Sequence, residues 1–121
     1  MGALVAMSEL RELRQRMREF TDERGWSSFH DPKSVLLALV GEVGELAELL
    51  QWLPADRVAD LARGETLHRR LGEEMSDVLL YLVLLADVLD VDLATAARSK
   101  LAEARVRYPV GAAPDRENSA R

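Results

Sequence analysis

Gly41-Glu42-Val43-Gly44-Glu45-Leu46-Ala47-Glu48-Leu49-Leu50-Gln51-Trp52 is apolar along one side of a helix and acidic along the other, and its reading decides the fold. Laid at ~100° per residue on a helical wheel, Val35, Leu36, Leu39, Val40, Val43, Leu46, Ala47 and Leu50 form one continuous apolar arc, the pattern of a core-facing helix. Glu42, Glu45 and Glu48 fall on the opposite arc. Trp52 falls there too, roughly 10 Å beyond Glu45 at ~1.5 Å per residue. A large aromatic residue on the acidic side has no core to fill, which marks it as a candidate for ligand contact.

The flanking sequence supplies boundaries and partners for this helix. Asp31-Pro32 is an N-cap and N1 pair that starts it, and Pro54 ends it. Upstream, Ser8 is the expected N-cap of a first helix carrying Leu10, Leu13, Met17 and Phe20 on one face and stopping near Gly25, with Trp26 to His30 as a loop. Downstream, Asp56 to Arg63 reads as a short helix, and Gly64 separates it from a second long one over about Glu65 to Leu89. That helix carries Leu67, Leu71, Met75, Val78, Leu82, Leu85 and Leu89 on one arc, with Glu73, Glu74 and Asp77 beside it. From Val78 onward, Leu80, Leu84 and Val88 take over the directions that Glu73 and Asp77 held. This half needs burial on two sides, which predicts a homodimer or homotetramer. Asp92 caps a last helix with Leu93, Ala97, Leu101 and Ala104, ended before Pro109. With no strand pattern and only short connections, the expected fold is an all-α, antiparallel, four-helix-bundle-like domain over residues 8–109, preceded by an extension (1–7) and followed by a disordered tail (110–121).

Composition narrows the chemistry. A chain of 121 residues that is 48% hydrophobic can bury one core and is too short for two. It has no cysteine and only two histidines, so any metal is held by oxygen. A net charge of -5 argues against a nucleic acid polymer or an anionic membrane as partner. The N-terminus lacks a signal-peptide pattern, and no apolar run approaches the ~20 residues that span a bilayer, so the expected location is cytoplasmic.

Glu42 and Glu45 are spaced i, i+3, and Glu74 and Asp77 repeat that spacing on the second long helix. If the two helices pack antiparallel, the pairs face each other. Four crowded carboxylates repel unless a cation binds, and an all-oxygen site favours Mg²⁺ or Mn²⁺. A di-iron bundle would need two Glu-x-x-His segments, and only Glu65 to His68 fits that pattern. Pairs of carboxylates at this spacing also occur on ordinary solvated faces, so a helical dimerisation module with a merely solubilising acidic patch is the rival from another functional class. Gly41 and Gly44, costly in a helix, suit a site where a ligand or another helix comes close.

Glu42-Val43-Gly44-Glu45 followed by Glu73-Glu74-Met75-Ser76-Asp77 resembles the signature of the all-α nucleoside triphosphate pyrophosphohydrolases, the MazG-like superfamily. Arg24-Gly25-Trp26, Phe29 to Lys33, Leu37 to Leu49, Gln51-Trp52, Glu74 to Leu82 and Arg107-Tyr108-Pro109 resemble its dCTP pyrophosphatase branch, in order, over roughly Leu10 to Pro109. The resemblance implies a MazG-type fold and hydrolysis of a nucleoside triphosphate, dCTP or a modified deoxynucleotide, to monophosphate and pyrophosphate. A dUTP or phosphoribosyl-ATP pyrophosphohydrolase is the alternative within the superfamily. It further implies Mg²⁺ on Glu42, Glu45, Glu74 and Asp77, with Glu42 or Glu45 as general base, a choice that spacing does not make. Trp26 and Trp52 would hold the base, Tyr81 would lie against the sugar or base, and Lys100 and Arg107 would meet the triphosphate. The related enzymes typically carry asparagine where this chain has Ala104, a departure that bears on substrate preference rather than on chemistry.

Overall fold

The computed structural model of the protein describes the backbone of residues 2–111 and the side chains of residues 9–111. The chain folds into α1 (Gly2–Glu23), α2 (Pro32–Leu50), the short α3 (Val58–Leu61), α4 (Glu65–Val88) and α5 (Leu93–Arg107), with one 3₁₀ turn at Ser27–Phe29 and no strand among the described residues. The expected all-α bundle is the observed one. Of the tail expected over 110–121, residues 112–121 lie outside the described residues, as does Met1.

Local chemistry sets most of the boundaries. Asp31 caps α2 by accepting from the Ser34 N–H at 2.9 Å, with Pro32 at the position where a missing N–H costs nothing. Asp92 caps α5 in the same way through the Thr95 N–H at 3.2 Å. α1 ends where Gly25 takes a left-handed φ of 65°, while the N–H groups of Gly25 and Trp26 return to the carbonyls of Asp22 and Thr21 at 3.1 and 2.9 Å. α4 ends through the same pair of bonds, with Asp90 as the left-handed residue at φ 55°. The start of α1 differs from expectation. Helical backbone begins at Gly2 rather than after Ser8, because Ala3, Leu4, Ala6 and Met7 are good helix formers with nothing among them to stop propagation.

α2 and α4 form the closest helix pair, α1 lies on α4, and α5 lies on α1. Trp52, just past the end of α2, and Leu67, near the start of α4, share one cleft, so α2 and α4 run antiparallel. In the seam between them α2 buries Val35 and half-buries Leu39, Glu42, Leu46 and Leu49, while α4 half-buries Leu67, Leu71, Glu74, Val78, Tyr81 and Leu85. Only part of each expected apolar arc therefore faces a partner within the chain. Leu36, Leu37, Val40 and Val43 on α2, and Met75, Leu79 and Leu82 on α4, are exposed.

The apolar second half of α4 is covered within the chain on one side, while Leu79 and Leu82 stay exposed on another. Val83, Leu84 and Ala86 are 3%, 7% and 7% exposed. α1 is tethered there by Arg18, whose guanidinium grips both oxygens of Asp87, with Arg14 at 3.9 Å from the same carboxylate. Of the three residues for which two-sided burial was inferred, Leu84 is buried and Leu80 and Val88 are half-buried inside one chain, so they do not by themselves require a second copy. Leu84→Ala should cost ~2–5 kcal/mol in urea denaturation, as a large-to-small change in a closed core does. A loss below about 0.5 kcal/mol would place Leu84 at a surface instead.

Candidate functional site

The seam explains how the acidic residues meet. Val35, Glu42, Leu46 and Leu49 share one side of α2, and Leu67, Leu71, Glu74 and Val78 share one side of α4, since residues three and four apart lie on one helix face. Glu42 and Glu74 therefore stand inside the stripes that the helices press together. The expectation that Glu42 lies opposite the apolar arc is corrected here: the half of that arc that meets α4 is centred near Val35 and Leu46, and Glu42 falls within it.

Glu45, more exposed, completes the group. Ligand oxygens of Glu42, Glu45 and Glu74 all lie within 4.8 Å of one another. One oxygen each of Glu42 and Glu74 is buried with no hydrogen-bond partner among the described residues. Unpaired buried carboxylate oxygens are costly, and here each points to a demand for a cation or a proton. Burial raises the pKa of Glu42 above its ordinary value, and contact with Glu45 and the charges of Glu45, Asp77 and Glu74 raise it further. Burial likewise raises Glu74, followed by the charges of Glu45 and Asp77, with Arg70 acting in the opposite direction. This oxygen-only, partly desolvated cluster fits a hard divalent cation. Asp77 is near enough for its charge to act on both glutamates, although its oxygens lie outside the tight group of three.

Beside the cluster opens a cleft of about 600 Å³ lined by Glu45, Glu48, Leu49, Gln51, Trp52, Leu67, Arg70 and Glu74. Trp52 is 85% exposed and stands at its far end, as its place on the wheel implied. Tyr81 is half-buried on α4, one turn beyond Asp77 and outside the residues lining the cleft. Trp26 lies at the corner after α1, its ring edge-on to Phe20 at 5.6 Å, where the Arg24 guanidinium covers Phe20 at 3.7 Å. Lys100 is exposed and paired with Glu103 at 3.6 Å, and Arg107 sits 5.6 Å from the Tyr108 ring. Neither cation lines the cleft, and Ala104 is half-buried between them in sequence. Within one chain the structure gathers Glu42, Glu45, Glu74 and Trp52, keeps Asp77 adjacent, and leaves Trp26, Lys100 and Arg107 elsewhere. Glu48, read on the acidic arc but not as a site residue, lines the cleft too, and Arg70 was not anticipated. The signal for Arg70 was its position one helical turn before Glu74. Gly41 and Gly44 face open space, and nothing among the described residues approaches them closely.

The pattern of the MazG nucleotide pyrophosphohydrolase domain matches residues 30–111, a stretch that contains the whole carboxylate cluster and the cleft. The chain belongs to the MazG family. The curated relatives of this MazG chain include dCTP pyrophosphatase 1 of Bos taurus, 48% identical over 101 residues, which are 84% of this chain and 60% of that protein. They also include dCTP pyrophosphatase 1 of Homo sapiens, 48% identical over 100 residues, 83% of this chain and 59% of that protein. The chain thus spans about 60% of the length of the curated relatives it matches. Among solved structures, a pyrophosphatase from Archaeoglobus fulgidus is similar with a TM-score of 0.75 and 33% identity, covering 84% of this chain and 93% of that one. The MazG-type fold expected from the resemblance is the fold observed. No helix among the described residues is long and apolar enough to cross a membrane.

The raised pKa values have a testable consequence. A carboxyl held above the ordinary value of 4.5 favours the fold while it is protonated, and that contribution is lost as pH rises through its folded-state value. Glu42→Gln is neutral throughout, so in the presence of chelator its stability relative to wild type should grow as pH rises from about 4 to about 8. Asp31, lowered by its hydrogen bonds with the side chain and backbone of Ser34, acts in the reverse sense but cancels because both proteins carry it. Denaturation curves that differ by a constant amount across this range would contradict the crowding of Glu42.

Proposed function

We propose that this chain hydrolyses a nucleoside triphosphate, dCTP or a modified form of it, to the monophosphate and pyrophosphate, using Mg²⁺, or Mn²⁺ in its place. The observation that carries this reading is the trio Glu42, Glu45 and Glu74, with buried unpartnered oxygens, at the head of a cleft that ends in an exposed tryptophan. Family membership and the identity to dCTP pyrophosphatases support the choice of reaction and of first substrate.

Glu42, Glu45 and Glu74 would hold the cation, with Asp77 one turn away completing the set. A bound divalent cation supplies neutralisation of phosphate charge and polarisation of a phosphoryl oxygen. Glu42 or Glu45 would take a proton from the attacking water. As that proton leaves, the water oxygen bonds to phosphorus, the α–β anhydride bond breaks, and pyrophosphate departs with the bonding electrons. Trp52 offers an open aromatic face for the base. Trp26, Tyr81, Lys100 and Arg107 do not line this cleft, so a role for them at the nucleotide requires a closer approach or a second copy.

The same reading extends to assembly as a homodimer or homotetramer. Leu36 and Val40 are 46% and 59% exposed, and by helical spacing they share with Val43, Met75, Leu79 and Leu82 an apolar side of the α2–α4 hairpin turned away from the carboxylates. A second copy covers that side. Sedimentation of wild type at micromolar concentration should show a dimer or larger, and Val40→Lys should shift it to monomer. A monomeric wild type would refute the assembly.

Turnover tests the chemistry. With Mg²⁺, Glu45→Gln and Glu74→Gln should each lower kcat for dCTP by roughly 100-fold or more. Trp52→Ala should raise KM by roughly 10–100-fold, the equivalent of ~1–3 kcal/mol of lost stacking, with kcat less affected. Retained turnover in both carboxylate variants would remove the proposed metal centre, and an unchanged KM for every nucleotide would remove Trp52 from the site.

A further inference from the structure

Arg70 is the one cation among the residues lining the cleft, where it stands among the carboxylates of Glu45, Glu48 and Glu74. Its neighbours are engaged: Arg69 pairs with Glu73 at 3.6 Å and Arg63 with Asp60 at 3.8 Å. Arg70 itself makes no ion pair and no hydrogen bond among the described residues, although its charge is felt by Glu74. A guanidinium left unspent in an acidic cleft has all its donors free, in a planar fork suited to two oxygens of one phosphate. Without it, the mouth of the cleft would present only negative charge to a polyanion.

Its place along the helices says which phosphate it meets. On α4 the order from the cluster outward is Asp77, Glu74, Arg70, Leu67, and on antiparallel α2 it is Glu42, Glu45, Glu48 and then Trp52. Arg70 is therefore about 6 Å beyond Glu74, at ~1.5 Å per residue, in the direction of Trp52. A nucleotide with its base on Trp52 and its α–β anhydride at the carboxylates runs phosphate, sugar, base along the same direction. The phosphate nearest the base is the α-phosphate, which stays with the monophosphate after hydrolysis.

We propose that Arg70 is a substrate-binding residue that holds the α-phosphate, and so sets the affinity for both the triphosphate substrate and the monophosphate product. The inference rests on the nucleotide reading above and assigns the polarity of the substrate in the cleft. It makes Arg70 a source of product inhibition by the monophosphate, with no hold on pyrophosphate.

The test compares wild type, Arg70→Gln and Arg70→Lys in Mg²⁺ by dCTP kinetics and by calorimetric binding of dCMP, of pyrophosphate and of Mg²⁺ alone. Arg70→Gln should weaken dCMP and raise KM for dCTP about tenfold each, leave pyrophosphate and Mg²⁺ binding within about twofold, and Arg70→Lys should recover part of the loss. Unchanged dCMP binding in an active Arg70→Gln overturns the inference and leaves the proposed function standing. Weakening of pyrophosphate as large as that of dCMP overturns the polarity, and an effect confined to Mg²⁺ binding reduces Arg70 to a tuner of the carboxylates. A wild type that neither hydrolyses dCTP nor binds dCMP overturns the functional reading and this inference with it.

Discussion

Glu42 and Glu74 are pressed into the seam between two antiparallel helices at positions where the surrounding pattern calls for leucine or valine. The packing of Val35, Leu39, Leu46 and Leu49 against Leu67, Leu71, Val78 and Leu85 brings the helices together, and in doing so desolvates the two carboxylates and sets a third, Glu45, against them. Apolar burial is non-directional and favourable for the stripe as a whole. Carboxylate burial is unfavourable at two points within it. A proton or a cation would relieve the tension, and in a protein without cysteine such a cluster of carboxylates could hold a metal.

Much of this was legible in the chain itself because it depends on neighbours in sequence. Asp31-Pro32, Asp92 and Gly25 mark helix ends through bonds that span only a few residues, and the structure forms those bonds. The acidic residues at i, i+3 on two helices, and the lone Trp52 on the acidic side, were equally readable. Depth was not readable. The apolar arc of α2 is wider than one partner helix can cover, and a wheel centred on the whole arc puts Glu42 outside it, whereas the half that meets α4 includes Glu42. For the same reason the second half of α4 looked like an interface between chains, until α1 and its Arg18–Asp87 tether proved to lie nearby. The apolar arc read on α5, Leu93, Ala97, Leu101 and Ala104, is half alanine, and Leu101 proves to be 59% exposed, so that arc was a poor guide from which to place Lys100 and Arg107.

The carboxylates and the leftover apolar surface occupy opposite sides of the same hairpin. Val40 and Val43 lie beside Gly41, Glu42 and Gly44 in sequence but are turned away from the cleft, and no other part of the described chain covers them. Among the described residues the closed apolar core is small, Val35, Val83, Leu84, Ala86 and Ala94, which makes a thin interior for a domain of this size. Covering the far side with a second copy would stiffen α2 without touching the acidic face. Such an assembly would keep chemistry and interface on separate faces of one helix pair.

Proton release on cation binding tests the crowding of the carboxylates most directly. Titrating the metal-free protein with Mg²⁺ in buffers of different ionisation enthalpy counts the protons displaced per ion bound. Because burial and the neighbouring carboxylates raise Glu42 and Glu74 above their ordinary value, binding should release protons at low pH and progressively fewer as pH rises, and Glu42→Gln should release fewer than wild type. Binding with no proton release at any pH, or no binding at all, would contradict the account.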